Sequence, residues 1–186
     1  MAIEPQKVAA LLLAAGRSER FGGPKLQADL NGAPLGLHAA RRVADVPFAQ
    51  HIAVTGPNAP DYAPLGFHII ATDDLGAPQS HSLALGISAL DDVEACLVVL
   101  ADMPFITRAH IEAMLAAFDG GVLASTAGGA HMPPALFPRA TFERLKALTG
   151  DQGGRGLFKD ARLIAADPAS LRDIDTPADL AASRDG

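Results

Sequence analysis

Residues Val8–Ala14 form an unbroken apolar run that stops just short of Gly16. A strand without polar alternation is buried on both faces, as in a parallel sheet. Comparable runs at Gln50–Thr55, Phe67–Ala71, Cys96–Leu100 and Val122–Ser125 predict further strands, the first of them closed by Gly56-Pro57. Helical patterns lie between and after them, at Leu35–Ala44, Ser80–Leu90, Thr107–Phe118, Thr141–Leu148 and Gly154–Lys159, with Thr107 placed as an N-cap. Strands separated by helices predict an α/β fold, a three-layer Rossmann-like, mostly parallel sheet with helices on both faces. The Pro/Gly-rich stretch Pro57–Gly66 reads as an irregular connection. With no internal repeat or low-complexity linker, residues 1–186 read as one domain.

Composition narrows the function. A hydrophobic content of 49% with 19% charged residues belongs to a folded protein with a sizeable core. The net charge of −6 argues against nucleic acid as a partner, and the basic pair Arg41-Arg42 reads as a solvated helix face. Cys96 is the single cysteine and sits in an apolar run, which predicts a buried structural thiol. The N-terminal apolar run is too short to span a bilayer and no signal-peptide pattern is visible, so the expectation is a cytoplasmic protein without a membrane partner.

The chemistry starts where the first strand ends. Leu13-Ala14-Ala15-Gly16-Arg17-Ser18-Glu19-Arg20-Phe21-Gly22-Gly23-Pro24-Lys25 joins small residues to two arginines and a lysine. Small residues let phosphates reach backbone N–H groups, and fixed cations neutralise their charge. Gly16 is read as permitting a backbone geometry that a side chain blocks. The loop is not a Walker A loop: Gly16 and Gly22 are one residue too far apart, Pro24 precedes Lys25, and Leu26 follows it. Nor is it a dinucleotide fingerprint, because Ser18 and Phe21 occupy its glycine positions.

In a parallel sheet, ligands sit at the carboxyl ends of the strands. Asp102 follows the strand Cys96–Leu100 and so faces that crevice, where Mg²⁺ bridging triphosphate oxygens would lie. Near the C-terminus, Thr176 and Pro177 read as N-cap and N1, with Asp179 in the capping-box position. Asp175 precedes this cap and can reach back to the crevice.

L-A-A-G-x-S-x-R-x-G-x-x-K resembles the signature loop of the small nucleotidyltransferases that finish molybdenum cofactor, the molybdopterin cytidylyltransferases and guanylyltransferases. The resemblance continues through Ala101-Asp102-Met103-Pro104 and Asp173-Ile174-Asp175-Thr176-Pro177, and so spans nearly the whole chain. It implies a fold like that of the nucleotide-diphospho-sugar transferases. It implies Mg²⁺ held by Asp102 and Asp175, with Lys25 and Arg20 acting on the phosphates. It places Leu13, Ala14, Ala15, Gly16, Arg17, Ser18 and Ser82 at the nucleotide. His131, in Gly128–Phe137, and Arg155, in Gly150–Gly156, fall on the acceptor side. The middle of the chain departs from the family pattern at two places: Met132 is inserted after His131, and Gly76-Ala77-Pro78-Gln79 is not the usual run before Ser82.

The implied reaction is transfer of a nucleoside monophosphate to the phosphate of molybdopterin, with release of pyrophosphate. Ala15 favours CTP over GTP, since the guanylyltransferases tend to carry L-A-G-G. The product would pass to a molybdoenzyme or its chaperone. Alternatives are a guanylyltransferase, a transferase acting on another phosphorylated small molecule, and a non-catalytic nucleotide- or cofactor-binding chaperone. A sugar-1-phosphate nucleotidyltransferase shares the fold, but its G-x-G-T-R-x-x-P loop is absent.

Overall fold

The structure, a computed structural model, describes residues 2–74, 78–150 and 161–184. Strand β1 (Val8–Ala14) is entirely buried. After it come a two-stranded antiparallel hairpin of β2 (Asp29–Leu30) and β3 (Ala33–Pro34), then β4 (Gln50–Thr55), β5 (His68–Ala71), β6 (Ala95–Leu100), β7 (Leu123–Ala127), β8 (Ala130–Pro138) and β9 (Arg162–Ala165). The main sheet has the order β5-β4-β1-β6-β8-β7-β9. Strands β5, β4, β1 and β6 are mutually parallel, β8 runs antiparallel to both β6 and β7, and β9 is parallel to β7.

Period-2 alternation divides β1 between two cores. Val8, Ala10, Leu12 and Ala14 face one layer, which takes in Leu35 and Val43 of α1 (Leu35–Ala44), Ile111 and Met114 of α3 (Arg108–Ala117) and Leu180 of α5 (Pro177–Ala182). Ala9, Leu11 and Leu13 face the other, with Leu83 and Ile87 of α2 (Gln79–Ser88) and Phe142 and Leu145 of α4 (Phe142–Lys146). Helices therefore cover both faces, as the alternation of patterns predicts, and the expected element ends hold to within a few residues. Thr107 caps α3 as expected, its Oγ1 accepting from the His110 N–H at 3.1 Å. Arg41 and Arg42 are exposed. Cys96 is fully buried, and burial pushes its thiol pKa up. Among the described residues no helix is long and apolar enough to cross a membrane. The helix expected at Gly154–Lys159 lies outside the described residues.

Helix α2 lies close on β1 because Gly86 has no side chain: a Cβ there would stand 2.4 Å from Leu11 Cδ1 and 3.1 Å from its Cγ. Leu11 is fully buried and has nowhere to retreat. Gly86→Ala is expected to cost about 1–3 kcal/mol of stability through overpacking, read as a lower urea midpoint at unchanged m-value.

The pattern along 130–138 does not announce a strand, because Pro133 and Pro134 stand in its middle without N–H groups. The structure accommodates them in a register shift. β7 pairs Ala124 with Ala135 but Ser125 with Met132, so both prolines fall between ladder positions. On the other side, pairing with β6 stops at Val98↔Ala135. The Ser125 hydroxyl donates to the Pro134 carbonyl at 2.7 Å, which leaves its oxygen to accept from His110 Nε2, 2.8 Å away. His110 is buried, and burial holds its pKa below the ordinary 6.5. Below pH 6.5 the unfolded chain therefore takes up a proton that the folded chain refuses. The associated stability is complete above that pH and is lost as pH falls towards the folded-state value. Urea midpoints are expected to drop from pH 7.5 to pH 5.5, and to drop less in His110→Gln.

Candidate active site

Three chain segments meet at the carboxyl end of β1 and β6. The first is the loop after β1, which descends through two single-turn elements, Glu19–Phe21 and Lys25–Gln27. Between them, Gly22 adopts φ 73°, a left-handed value that only glycine takes freely. Gln27 anchors the second turn, its Nε2 donating to the Ala59 carbonyl at 3.0 Å. The second segment is the turn after β6, which carries Asp102. The third is the approach to α5, where Thr176 and Asp179 form a full capping box. The Asp179 carboxylate also accepts from the Asp175 N–H at 3.2 Å, so the cap fixes the backbone of the residue before it. The Ile174 N–H donates to the Asp102 carbonyl at 3.0 Å and joins the second segment to the third.

Lys25 stands at the junction. Its Nζ donates to Asp102 Oδ2 at 2.8 Å and to Asp175 Oδ1 at 3.1 Å. Arg20 Nη1 lies 2.9 Å from Asp175 Oδ2. Lys25 is only 8% exposed, whereas the Arg20 side chain is 77% exposed. Burial acts to lower the Lys25 pKa, but the charges and hydrogen bonds of Asp102 and Asp175 outweigh it and raise the pKa, so the lysine is a fixed cation. Asp102 Oδ1 is buried and, among the described residues, has no hydrogen-bond partner.

These residues line a cleft of about 350 Å³. Leu13, Ala14, Ala15, Gly16, Arg17 and Ser18 form one wall and Ser82 of α2 another, together with Arg20, Lys25, Asp102 and Asp175. Residues expected at the nucleotide and the phosphates thus share one cavity. His131 is exposed on β8, opposite Thr126 of β7, and does not line this cleft. Arg155 lies outside the described residues.

Gly16 departs from expectation. Its backbone is not left-handed, and a Cβ added to it would meet no protein atom within 4 Å. The left-handed residue of this part of the loop is Ser18, at φ 54°. Contacts within the described residues make no demand for glycine at position 16. Sequence reasoning also missed three neighbours. Gln79 lines the cleft from the start of α2. Asp173 has its pKa raised, by desolvation first and then by the charges of Asp175 and Asp102. Tyr62 is fully buried, its hydroxyl finds no partner among the described residues, and its pKa is pushed up by burial and then by the charge of Asp102. Only the D-x-D spacing hinted at Asp173; nothing in the sequence marks Tyr62.

The chain is similar to known proteins over most of its length. It is 30% identical over 188 residues to the purine catabolism protein PucB of Bacillus subtilis, covering 90% of this chain and 91% of that one. It is 33% identical over 104 residues to a probable molybdenum cofactor guanylyltransferase of Thermococcus sibiricus, covering 55% of this chain and 51% of that one. In fold it resembles Rv0371C of Mycobacterium tuberculosis, solved in complex with manganese, at a TM-score of 0.80 and 20% identity over 96% of this chain and 98% of that one. The family model for the MobA-like NTP transferase domain matches residues 10–167, which begin within β1 and take in the loop after it and Asp102. The match spans most of the chain, and the chain therefore belongs to the MobA-like NTP transferase family.

Proposed function

We propose that this nucleotidyltransferase moves CMP from CTP to the phosphate of a molybdopterin-type acceptor and releases pyrophosphate. The observation that carries the reading is the position of Lys25 Nζ, 2.8 Å from Asp102 and 3.1 Å from Asp175 within the cleft formed by the loop after β1. An oxygen of the acceptor phosphate attacks the α-phosphorus. That P–O bond forms as the bond from the α-phosphorus to the bridging oxygen breaks, and the electron pair leaves on pyrophosphate. No side-chain nucleophile is needed, because positioning and charge stabilisation lower the barrier. Lys25 stabilises charge on the α-phosphate. Arg20 and the backbone N–H groups of residues 15–18 hold the departing pyrophosphate.

Asp102 and Asp175 are hard oxygen donors suited to a divalent cation, Mg²⁺ in this reading. Asp102 Oδ1, buried and without a hydrogen-bond partner among the described residues, fits that role. Among the described residues no three metal-binding side chains stand together, so phosphate oxygens and water would complete the ion's coordination. When bound, the ion would supply charge neutralisation at the phosphates.

Ala15 supports CTP. The Thermococcus relative, named as a guanylyltransferase, supports GTP as the second reading. The name of the Bacillus relative supports purine catabolism as the setting in which the finished cofactor is used, by a molybdoenzyme or through its chaperone.

The test is pyrophosphate release from purified protein with Mg²⁺, molybdopterin and each nucleoside triphosphate in turn. Release with CTP alone is expected. Release with GTP alone would keep the chemistry and overturn the base. Nucleotide binding without release from any triphosphate would overturn the acceptor.

A further inference from the structure

We propose that Tyr62, which does not line the cleft, is a positioning residue for the reaction: its buried hydroxyl holds Asp102 Oδ1 through one bound water. Its part in the reaction rests on the place given to Asp102 above, whereas the link itself is read without any substrate. Among the described residues, three buried side-chain polar atoms lack a hydrogen-bond partner: Tyr62 Oη, Asp102 Oδ1 and Thr126 Oγ1. Thr126 stands apart, on β7 opposite His131. The other two are complementary, because an ionised carboxylate only accepts and a phenol donates. Burial, and then the charge of Asp102, push the phenol pKa up, so the proton stays on the hydroxyl and Asp102 is near enough to be felt there.

Tyr62 belongs to the connection 57–66, which the Gln27–Ala59 hydrogen bond pins to the Lys25–Gln27 turn. Its ring packs in the apolar layer beside Phe67, with centroids 6.1 Å apart. A phenylalanine would fill that layer as well and would bury no polar atom. The hydroxyl also takes space from α1: a Cβ at Gly36 would stand 2.6 Å from Tyr62 Oη and 3.2 Å from Leu26 Cβ. Gly36 is not left-handed, so its backbone does not ask for glycine, and glycine is a weaker helix former than alanine. The oxygen thus burdens both the core and the helix, and it does so beside Leu26, the neighbour of Lys25. Tyr62 Oη and Asp102 Oδ1 do not bond each other directly, and one water accepting from the first and donating to the second satisfies both. Lys25 then grips Asp102 at Oδ2 and the water grips it at Oδ1, which fixes the plane of the carboxylate. Oδ1 keeps a second lone pair and stays open to a cation.

The experiment is urea unfolding of the full chain, without metal or nucleotide, as a double-mutant cycle. Tyr62→Phe is expected to raise the unfolding constant about fivefold, the scale of one lost hydrogen bond. In an Asp102→Ala background the same substitution is expected to raise it less than about twofold. A loss of equal size in both backgrounds would give the hydroxyl another partner and overturn the proposal, and so would no loss in either. Should Asp102→Ala fail to fold, the near-UV spectrum decides, because Tyr62 is the single tyrosine of a chain without tryptophan and its phenol gives the longest-wavelength band. Asp102→Asn is expected to move that band to shorter wavelength and Asp175→Asn to leave it in place; equal shifts, or none, overturn the link. The positioning role is read in pyrophosphate release, where Tyr62→Phe is expected to lower kcat about tenfold and to leave the nucleotide KM within about twofold. A hydroxyl coupled to Asp102 with kcat unchanged would make Tyr62 a structural part only and overturn its role in the reaction. The unfolding and spectral arms contain no nucleotide, so their outcome is independent of which base or acceptor the enzyme uses.

Discussion

Lys25→Ala is expected to lower kcat by about 10²–10³-fold while the far-UV circular dichroism spectrum stays that of wild type. That is the scale for removing one preorganised donor aimed at developing charge, about 3–4 kcal/mol. The geometry concentrates the effect in one atom. Lys25 Nζ is held by two carboxylates from segments 77 and 150 positions away, so it is oriented before any substrate arrives. Arg20 cannot take over, because its side chain is largely in solvent and, among the described residues, it pairs with Asp175 Oδ2 and not with Asp102. The loss belongs in kcat rather than KM if Lys25 acts mainly on the transition state. An unchanged kcat, measured by pyrophosphate release at saturating nucleotide, would remove Lys25 from the chemistry.

Asp102→Asn is expected to be at least as severe, about 10³-fold in kcat/KM, equivalent to about 4 kcal/mol. The change keeps shape and removes charge. Lys25 loses the larger of its two electrostatic partners. The proposed metal site loses one of its two carboxylates, which leaves a poor oxygen site for a hard cation. Raising the Mg²⁺ concentration is expected to recover part of the activity of Asp102→Asn and none of the activity of Lys25→Ala. Activity of Asp102→Asn within tenfold of wild type at low Mg²⁺ would exclude Asp102 from the metal site.

Much of this architecture was legible in the chain. β1 and β6 are apolar without interruption and could only be buried strands. Thr107 and the Thr176-Pro177-x-Asp179 cap announced two helix starts, and the second also placed Asp175 just outside the helix. The rest depends on distance. That Lys25 sits between Asp102 and Asp175 follows from how three loops converge, and no local pattern encodes it. β8 was hidden because two adjacent prolines ordinarily exclude a strand, and only the register shift against Ala124 and Ser125 makes room for them. The β2–β3 hairpin has two-residue strands, below the length at which alternation is visible. Gly16 was credited with a strained backbone that Ser18 carries instead.

The early parting of β8 from β6 has a consequence for how this protein can change. Against β1, strand β6 is paired up to Leu100, but against β8 only up to Val98. The far end of β8 is thus tied to β7 alone, while β7 stays paired with β9 as far as Thr126 and the Ser125–His110 contact secures the base of the hairpin. Its tip, around Gly128 and Gly129, can be lengthened, shortened or rewritten with little cost to the layers beneath. Mutation has room to explore new partners at that rim while the cationic loop and its two aspartates are inherited unaltered.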